Sequence, residues 1–202
     1  MLSLHAVRFQ RRRPLRALKA HRAPFSENNM SEYQIRPAVP RDALVIADIY
    51  AQAISIVYAE ILSEEALKGL VAQRRQGFWR EAIELGEPQM LVVVNEADDV
   101  VGFGGFDRSR DDKTPATMGE IWHIYVSPAH WDQGAGLALW DGLRDGLDEE
   151  GCTHASLWLA LRNERALRFH EIAGFKREMK TARTVDVAGT KVESIRLSRA
   201  LH

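Results

Sequence analysis

The sequence predicts an α+β (mixed α/β) domain: one central mixed, mostly antiparallel sheet of about six to seven strands, flanked by about four helices. Three observations carry this expectation. Met90-Leu91-Val92-Val93-Val94 is a β-branched apolar run of the kind that forms a buried strand. Ile46, Ile49, Tyr50, Ala53, Ile54 and Val57 recur at helical spacing and make one apolar stripe. Residues 119–147 read in succession as strand, short loop, glycine turn and helix.

Taken in order, Tyr33-Gln34-Ile35-Arg36 is a short first strand closed by Pro37. Pro40 and Asp42 open the helix that carries the apolar stripe. Ser63 is a good N-cap, with Glu64 and Glu65 favouring the dipole of a second helix to about Gln76. Phe78 to Leu85 adds a turn or two of helix before Gly86 and Pro88. After the Met90–Val94 strand, the acidic turn Glu96–Asp99 leads into Val100–Phe106 as a hairpin partner. Gly102, Gly104 and Gly105 inside that strand point to a bulge or a close backbone approach. A polar loop, Asp107 to Thr117, precedes the central strand.

In that strand Glu120, Trp122, Ile124 and Val126 fall on one period-2 track, and Ile121, His123 and Tyr125 on the other. Ser127-Pro128 ends it. Gly134-Ala135-Gly136 then opens a helix whose stripe is Leu137, Trp140, Leu143 and Leu147. Backbone N–H groups at such a turn lack intrahelical partners, and the helix dipole adds positive charge. That combination suits a phosphate cradle, although a plain tight turn has the same letters. His154 to Leu161 reads as a further buried strand, and Asn163 caps a helix to about Ala173 that Gly174 ends. Lys176–Val187 and Lys191–Leu197 complete the chain as a hairpin across Ala188-Gly189.

Composition narrows the function. A chain of 202 residues is one ordinary domain with room for a sizeable core. No apolar run is long enough to span a membrane, so no membrane partner is expected. The single cysteine, Cys152, excludes an internal disulfide framework and fits a reducing, cytoplasmic setting. With no second cysteine and no clustered histidines, no metal is expected. Seven basic residues against Glu27 give residues 1–29 a net charge of +6, leaving −7 for the rest of a chain whose total is −1. The first 29 residues therefore read as a basic, disordered extension, and residues 30–202 as the folded domain. A body that acidic is a poor general binder of nucleic acid and suits a cationic partner such as an amine.

The order of elements, with the motif at residues 119–136, resembles the GNAT N-acetyltransferase superfamily over about residues 33–199. The family's turn is Arg or Gln, two variable residues, Gly, one variable residue, then Gly or Ala. Trp131, Asp132, Gln133, Gly134, Ala135 and Gly136 match it at both glycines and depart from it at Trp131. The family's second motif is matched by Asn163, Ala166, His170, Gly174 and Phe175, where His170 stands for a common tyrosine. The resemblance implies acetyl-CoA as co-substrate. Ile124, Tyr125 and Val126 would meet its pantetheine arm as a strand edge does. Asp132, Gln133, Gly134, Ala135, Gly136 and Leu137 would hold its diphosphate, and Asn163 would sit near the thiol end, as an N-cap, a cofactor contact or both.

The resemblance further implies transfer of acetyl to a primary amine of a small molecule, by direct attack in a ternary complex. A protein or peptide amine is the near alternative, and a non-catalytic acyl-CoA-binding module the distant one. A nucleotide site is disfavoured, because no Walker lysine follows Gly136. The resemblance also admits a homodimer. The candidate base is Glu120, which reads equally as a carboxylate paired to an arginine. His123 is a second proton carrier or a buried, hydrogen-bonded imidazole. His170 lies at the position of the proton donor to the departing sulfur. Trp122 and His123 are candidates for the acceptor pocket, with Tyr125 and Trp131 as further walls.

Overall fold

The computed structural model describes residues 33–112 and 114–202. The expected basic extension, residues 1–29, lies outside the described residues. Among them the chain forms eight strands and five α-helices in the expected alternation. Strands β1 (Gln34–Pro37), β2 (Gln89–Val94), β3 (Val100–Arg108) and β4 (Met118–Val126) form an antiparallel meander; β5 (His154–Ala160) joins β4 in parallel. Strands β6 (Lys176–Arg177), β7 (Arg183–Val187) and β8 (Thr190–Ala200) follow, and the sheet order is β1-β2-β3-β4-β5-β8-β6, with β7 on β8.

Helices α1 (Ala43–Val57), α2 (Glu64–Gln73) and α3 (Gln76–Leu85) cover one face, around Ile46, Tyr50, Trp79 and Phe103. Helices α4 (Ala135–Glu149) and α5 (Glu164–Ile172) bury Leu139, Trp140, Leu143 and Leu167 on the other. Strand β2 alternates between the two cores: Leu91 and Val93 enter one, Met90, Val92 and Val94 the other. This double burial is why the run is apolar at every position rather than at alternate ones.

Two local signals hold as read. Ser63 Oγ accepts the Ala66 N–H at 3.2 Å, and Gly86 ends α3 in the left-handed region. Three expectations need correction. Leu137 is 53% exposed, whereas Leu139 is fully buried, so Leu139 joins Trp140, Leu143 and Leu147 in the α4 stripe in its place. The second helix ends at Gln73 rather than about Gln76 and the next begins at Gln76 rather than Phe78, so the break falls at Arg74-Arg75, where the Trp79 indole N–H donates to the Arg74 carbonyl at 2.8 Å. Lys176–Val187 is not one strand: β6 (Lys176–Arg177) is separated from β7 by a 3-10 turn at Met179–Thr181.

Candidate functional site

Parallel pairing between β4 and β5 covers only Met118–Glu120 against His154–Ser156. Beyond Glu120 the strands part, and each keeps its other neighbour: β4 stays on β3 as far as Val126, and β5 on β8 as far as Ala160. The edges that face the gap carry backbone donors and acceptors outside any ladder. A cavity of about 930 Å³ occupies the wedge, lined by β4 from Ile121 to Val126 and by β5 from Leu157 to Leu159. The register between β3 and β4 shifts here: Gly105 faces His123 and Phe106 faces Ile121, which leaves Trp122 as the extra residue of a β-bulge. The strict alternation of the strand is broken there. Trp122 and His123 therefore line the cavity together.

One end of the cavity is the start of α4. Gly134 holds φ at +94°, a left-handed conformation that glycine adopts without strain, and no side chain caps the helix. Gly134, Gly136 and Leu137 line the cavity beside Asp132. A side chain at Gly136 would press on Phe169 of α5 at 3.3 Å, so the second glycine keeps the approach of the helices open. Gln133 turns away: its amide donates to the Ala129 carbonyl at 2.9 Å, and its oxygen accepts from the Tyr33 hydroxyl at 3.3 Å. Ala135 is fully buried beneath the turn. Asn163 both lines the cavity and caps α5, its Oδ1 accepting the Ala166 N–H at 3.2 Å.

Glu120 stands outside the cavity lining. Its side chain is 2% exposed. One oxygen accepts from the Arg110 backbone N–H at 2.9 Å and from Nε at 3.2 Å, and the other pairs with Nη2. A carboxylate so engaged is turned away from any acceptor, which is the arginine-paired alternative of the two readings. The Arg110 guanidinium in turn lies 3.7 Å above the centre of the Trp122 ring. Glu120 thus positions Arg110, and Arg110 positions a wall of the cavity.

His170 lines the cavity but is almost fully buried. Its Nδ1 lies 2.8 Å from the Ala166 carbonyl, which can only accept, so Nδ1 carries the proton. Nε2, the unprotonated nitrogen, is buried without a partner. Burial pushes its pKa down to about 4, against a smaller opposing pull from the Ala166 carbonyl. At neutral pH the ring is an acceptor and not a proton donor. His123 is also held neutral: burial, then Arg74 and Arg110, drive its pKa well below the usual histidine range. Its ring packs against Trp79 at 5.2 Å. The Tyr125 hydroxyl is driven well above its usual range, chiefly by burial.

Cavity residues outside the expected set include Tyr58 on the α1 side, Trp158 on β5, and Arg165 and Arg168 on α5. The last two were legible as a pair of cations three apart just after the Asn163 cap. Tyr58 and Trp158 had no signal beyond being aromatic. Among the described residues no group of three or more His, Cys, Asp or Glu is placed to hold a metal. Nor, among them, is any helix long and apolar enough to cross a membrane.

This geometry has close counterparts. The model of the acetyltransferase (GNAT) family matches residues 57–175, so the chain belongs to the GNAT acetyltransferase family. Among solved structures, the PaiA N-acetyltransferase of Thermoplasma acidophilum, in complex with coenzyme A, matches with a TM-score of 0.67 at 17% identity, over 83% of this chain and 98% of that one. YncA of Salmonella typhimurium, solved with its cofactor acetyl-CoA, matches at 0.60 and 23% identity, over 85% and 95%. A ribosomal-protein-alanine N-acetyltransferase of Brucella melitensis matches at 0.63 and 18%, over 83% and 99%. At these identities the likeness is one of fold. No curated protein sequence matches the chain.

Proposed function

We propose that this protein is an acetyl-CoA-dependent N-acetyltransferase that acetylates a primary amine of a small molecule by direct attack in a ternary complex. The observation that carries the reading is the opening of β4 from β5 after Glu120, over a glycine turn that starts α4. Ile124 to Val126 offer strand-edge groups to the amides of the pantetheine arm. The first N–H groups of α4, at Gly134 to Leu137, face the diphosphate. Asn163 borders the thioester end.

The acceptor half is aromatic: Trp122, Tyr58 and Trp158 surround it, and the carboxylates of the lining, Asp132 and Glu164, lie at the α4 and α5 starts instead. The cavity therefore favours an uncharged amine on an apolar or aromatic body over a polycation. Glu120 is not assigned the base role, since Arg110 occupies both its oxygens. The amine enters as the free base from a pool whose pKa is about 10. Its nitrogen attacks the thioester carbon, the C–S bond breaks, and the proton shed by nitrogen reaches sulfur through water. A thiol pKa of roughly 8.5 makes the thiolate an adequate leaving group without a protein acid.

The test is thiol release across a panel of small primary amines as a function of pH. The expected kcat/KM rises about tenfold per pH unit until the amine's own pKa, because neither His123 nor His170 changes charge near neutrality. A bell centred between pH 6 and 8 would contradict the assignment of neutral histidines. One observation favours a second reading, an acyl-CoA-binding module without turnover: His170 offers no proton at the position of the family's tyrosine. Coenzyme A binding with no thiol release from any amine or peptide would establish that reading.

A further inference from the structure

The turn that opens α4 departs from its family's pattern at Trp131, where a cation or an amide is usual. The structure shows what takes the place. The Trp131 indole N–H donates to the Val126 carbonyl at 2.8 Å, which pins the ring flat at the end of β4. Over that ring, at 4.2 Å, lies the guanidinium of Arg165 from the first turn of α5. Asp132, held at a φ of +59°, fixes it through a 2.8 Å ion pair with Nη2. Trp131, Asp132, Arg165, Gly134 and Gly136 all line the same cavity.

We propose that Arg165, seated on Trp131 and steered by Asp132, is this chain's side-chain ligand for the coenzyme A diphosphate, in place of the cation missing from the turn. The inference rests on the coenzyme A reading above. Three arguments support it. A cation in the first turn opposes its own helix dipole, so stability of α5 gives no reason for arginine at this position. The guanidinium has five N–H donors in a planar fork, and the bond to Asp132 uses Nη2, which leaves Nη1 and Nε for phosphate oxygens. Stacking and ion pairing hold a long side chain that is otherwise about half exposed, so little rotamer freedom remains to be lost on binding. The pair with Asp132 is an exposed one and costs little to loosen when a diphosphate arrives.

The experiment compares dissociation constants of wild type, Arg165→Ala and Arg165→Lys for coenzyme A, dephospho-coenzyme A and pantetheine. Thermal melting of each variant without ligand reports that the fold is intact. Arg165→Ala is expected to weaken coenzyme A and dephospho-coenzyme A alike, by about tenfold, and to leave pantetheine unaffected. Arg165→Lys, which keeps charge but loses the flat stack and the fork, is expected to fall between the two. Equal loss for all three ligands would overturn the proposal in favour of a structural role. Loss for coenzyme A alone would move the contact to the 3′-phosphate and overturn it as stated, as would no loss at all. Wild type that binds none of the three would remove the coenzyme A reading itself, and this proposal with it.

Discussion

Two ionisable side chains, His170 in the cavity and Glu120 outside it, behave differently from what their letters suggest, the first through burial and the second through its pairing with Arg110. His170 sits with Nδ1–H on the Ala166 carbonyl and Nε2 in an apolar setting between Phe169 and Phe175. Its folded pKa of about 4 lies below the ordinary histidine value of 6.5, so the unfolded chain binds more protons between those limits. The stability that neutral His170 contributes is complete above pH 6.5 and is lost as pH falls toward 4, to a total of about 3 kcal/mol. Denaturant unfolding of wild type and His170→Gln at pH 7 and pH 4 is expected to show the wild-type advantage shrink by that order on acidification. An advantage independent of pH would contradict the buried, neutral ring.

Glu120 is the second case. Its carboxylate was readable as base or as ion-pair partner, and the sequence offers no way to choose, because Arg110 reaches it only through the shape of the loop. With Arg110 Nε at 3.2 Å and its backbone N–H at 2.9 Å, Glu120→Gln removes charge-assisted bonds from a buried site. The expected loss of stability is about 1–3 kcal/mol, seen as a lowered Tm. A variant that melts with wild type yet loses activity a hundredfold would return the base role to Glu120.

At the scale of elements, α4 is set by glycine as much as by its apolar stripe. A Cβ at Gly146 would stand 2.4 Å from the Phe106 ring, and one at Gly142 2.7 Å from Ile35. These residues let the helix sit close against β3 and β1, which in turn fixes its first turn at the mouth of the β4–β5 gap. Gly146→Ala is expected to destabilise by about 1–3 kcal/mol through overpacking, despite its better helix propensity. Chemical denaturation measures it, and a stabilised variant would show that the contact is slack. Most of the element order was legible because strand and helix periods are strong here, as the Met90–Val94 run and the Ser63 and Asn163 caps illustrate. The position of the α2–α3 break was not, since it depends on one indole hydrogen bond from Trp79 to Arg74. Nor was the bulge at Trp122, which is a property of two strands paired and cannot be read along one.

Over the whole molecule, the site is a consequence of topology. A parallel pair, β4 with β5, joins two antiparallel halves, and the pair holds together for three residues before it opens. The helices on either face then close the gap, α1 from the acceptor side and α4 and α5 from the other. The glycine turn and its Asn163 partner were visible in the sequence as motifs with a fixed order. Arg165 and Arg168 were visible as a pair of cations but carried no assigned role, and Tyr58 and Trp158, unlike Trp122, were not assigned to the acceptor wall, because the letters carry no record of which strand edges part. Every functional expectation above depends on one claim, that this opening receives coenzyme A.

That claim is tested most directly by thermal unfolding of the full chain with coenzyme A, acetyl-CoA or ATP. A ligand that binds only the folded state raises Tm, and at a hundredfold excess over Kd it adds about 2.7 kcal/mol. Tm is expected to rise by several degrees with both coenzyme A species and not with ATP at the same concentration. An unchanged Tm with coenzyme A and acetyl-CoA, or an equal rise with ATP, would contradict it.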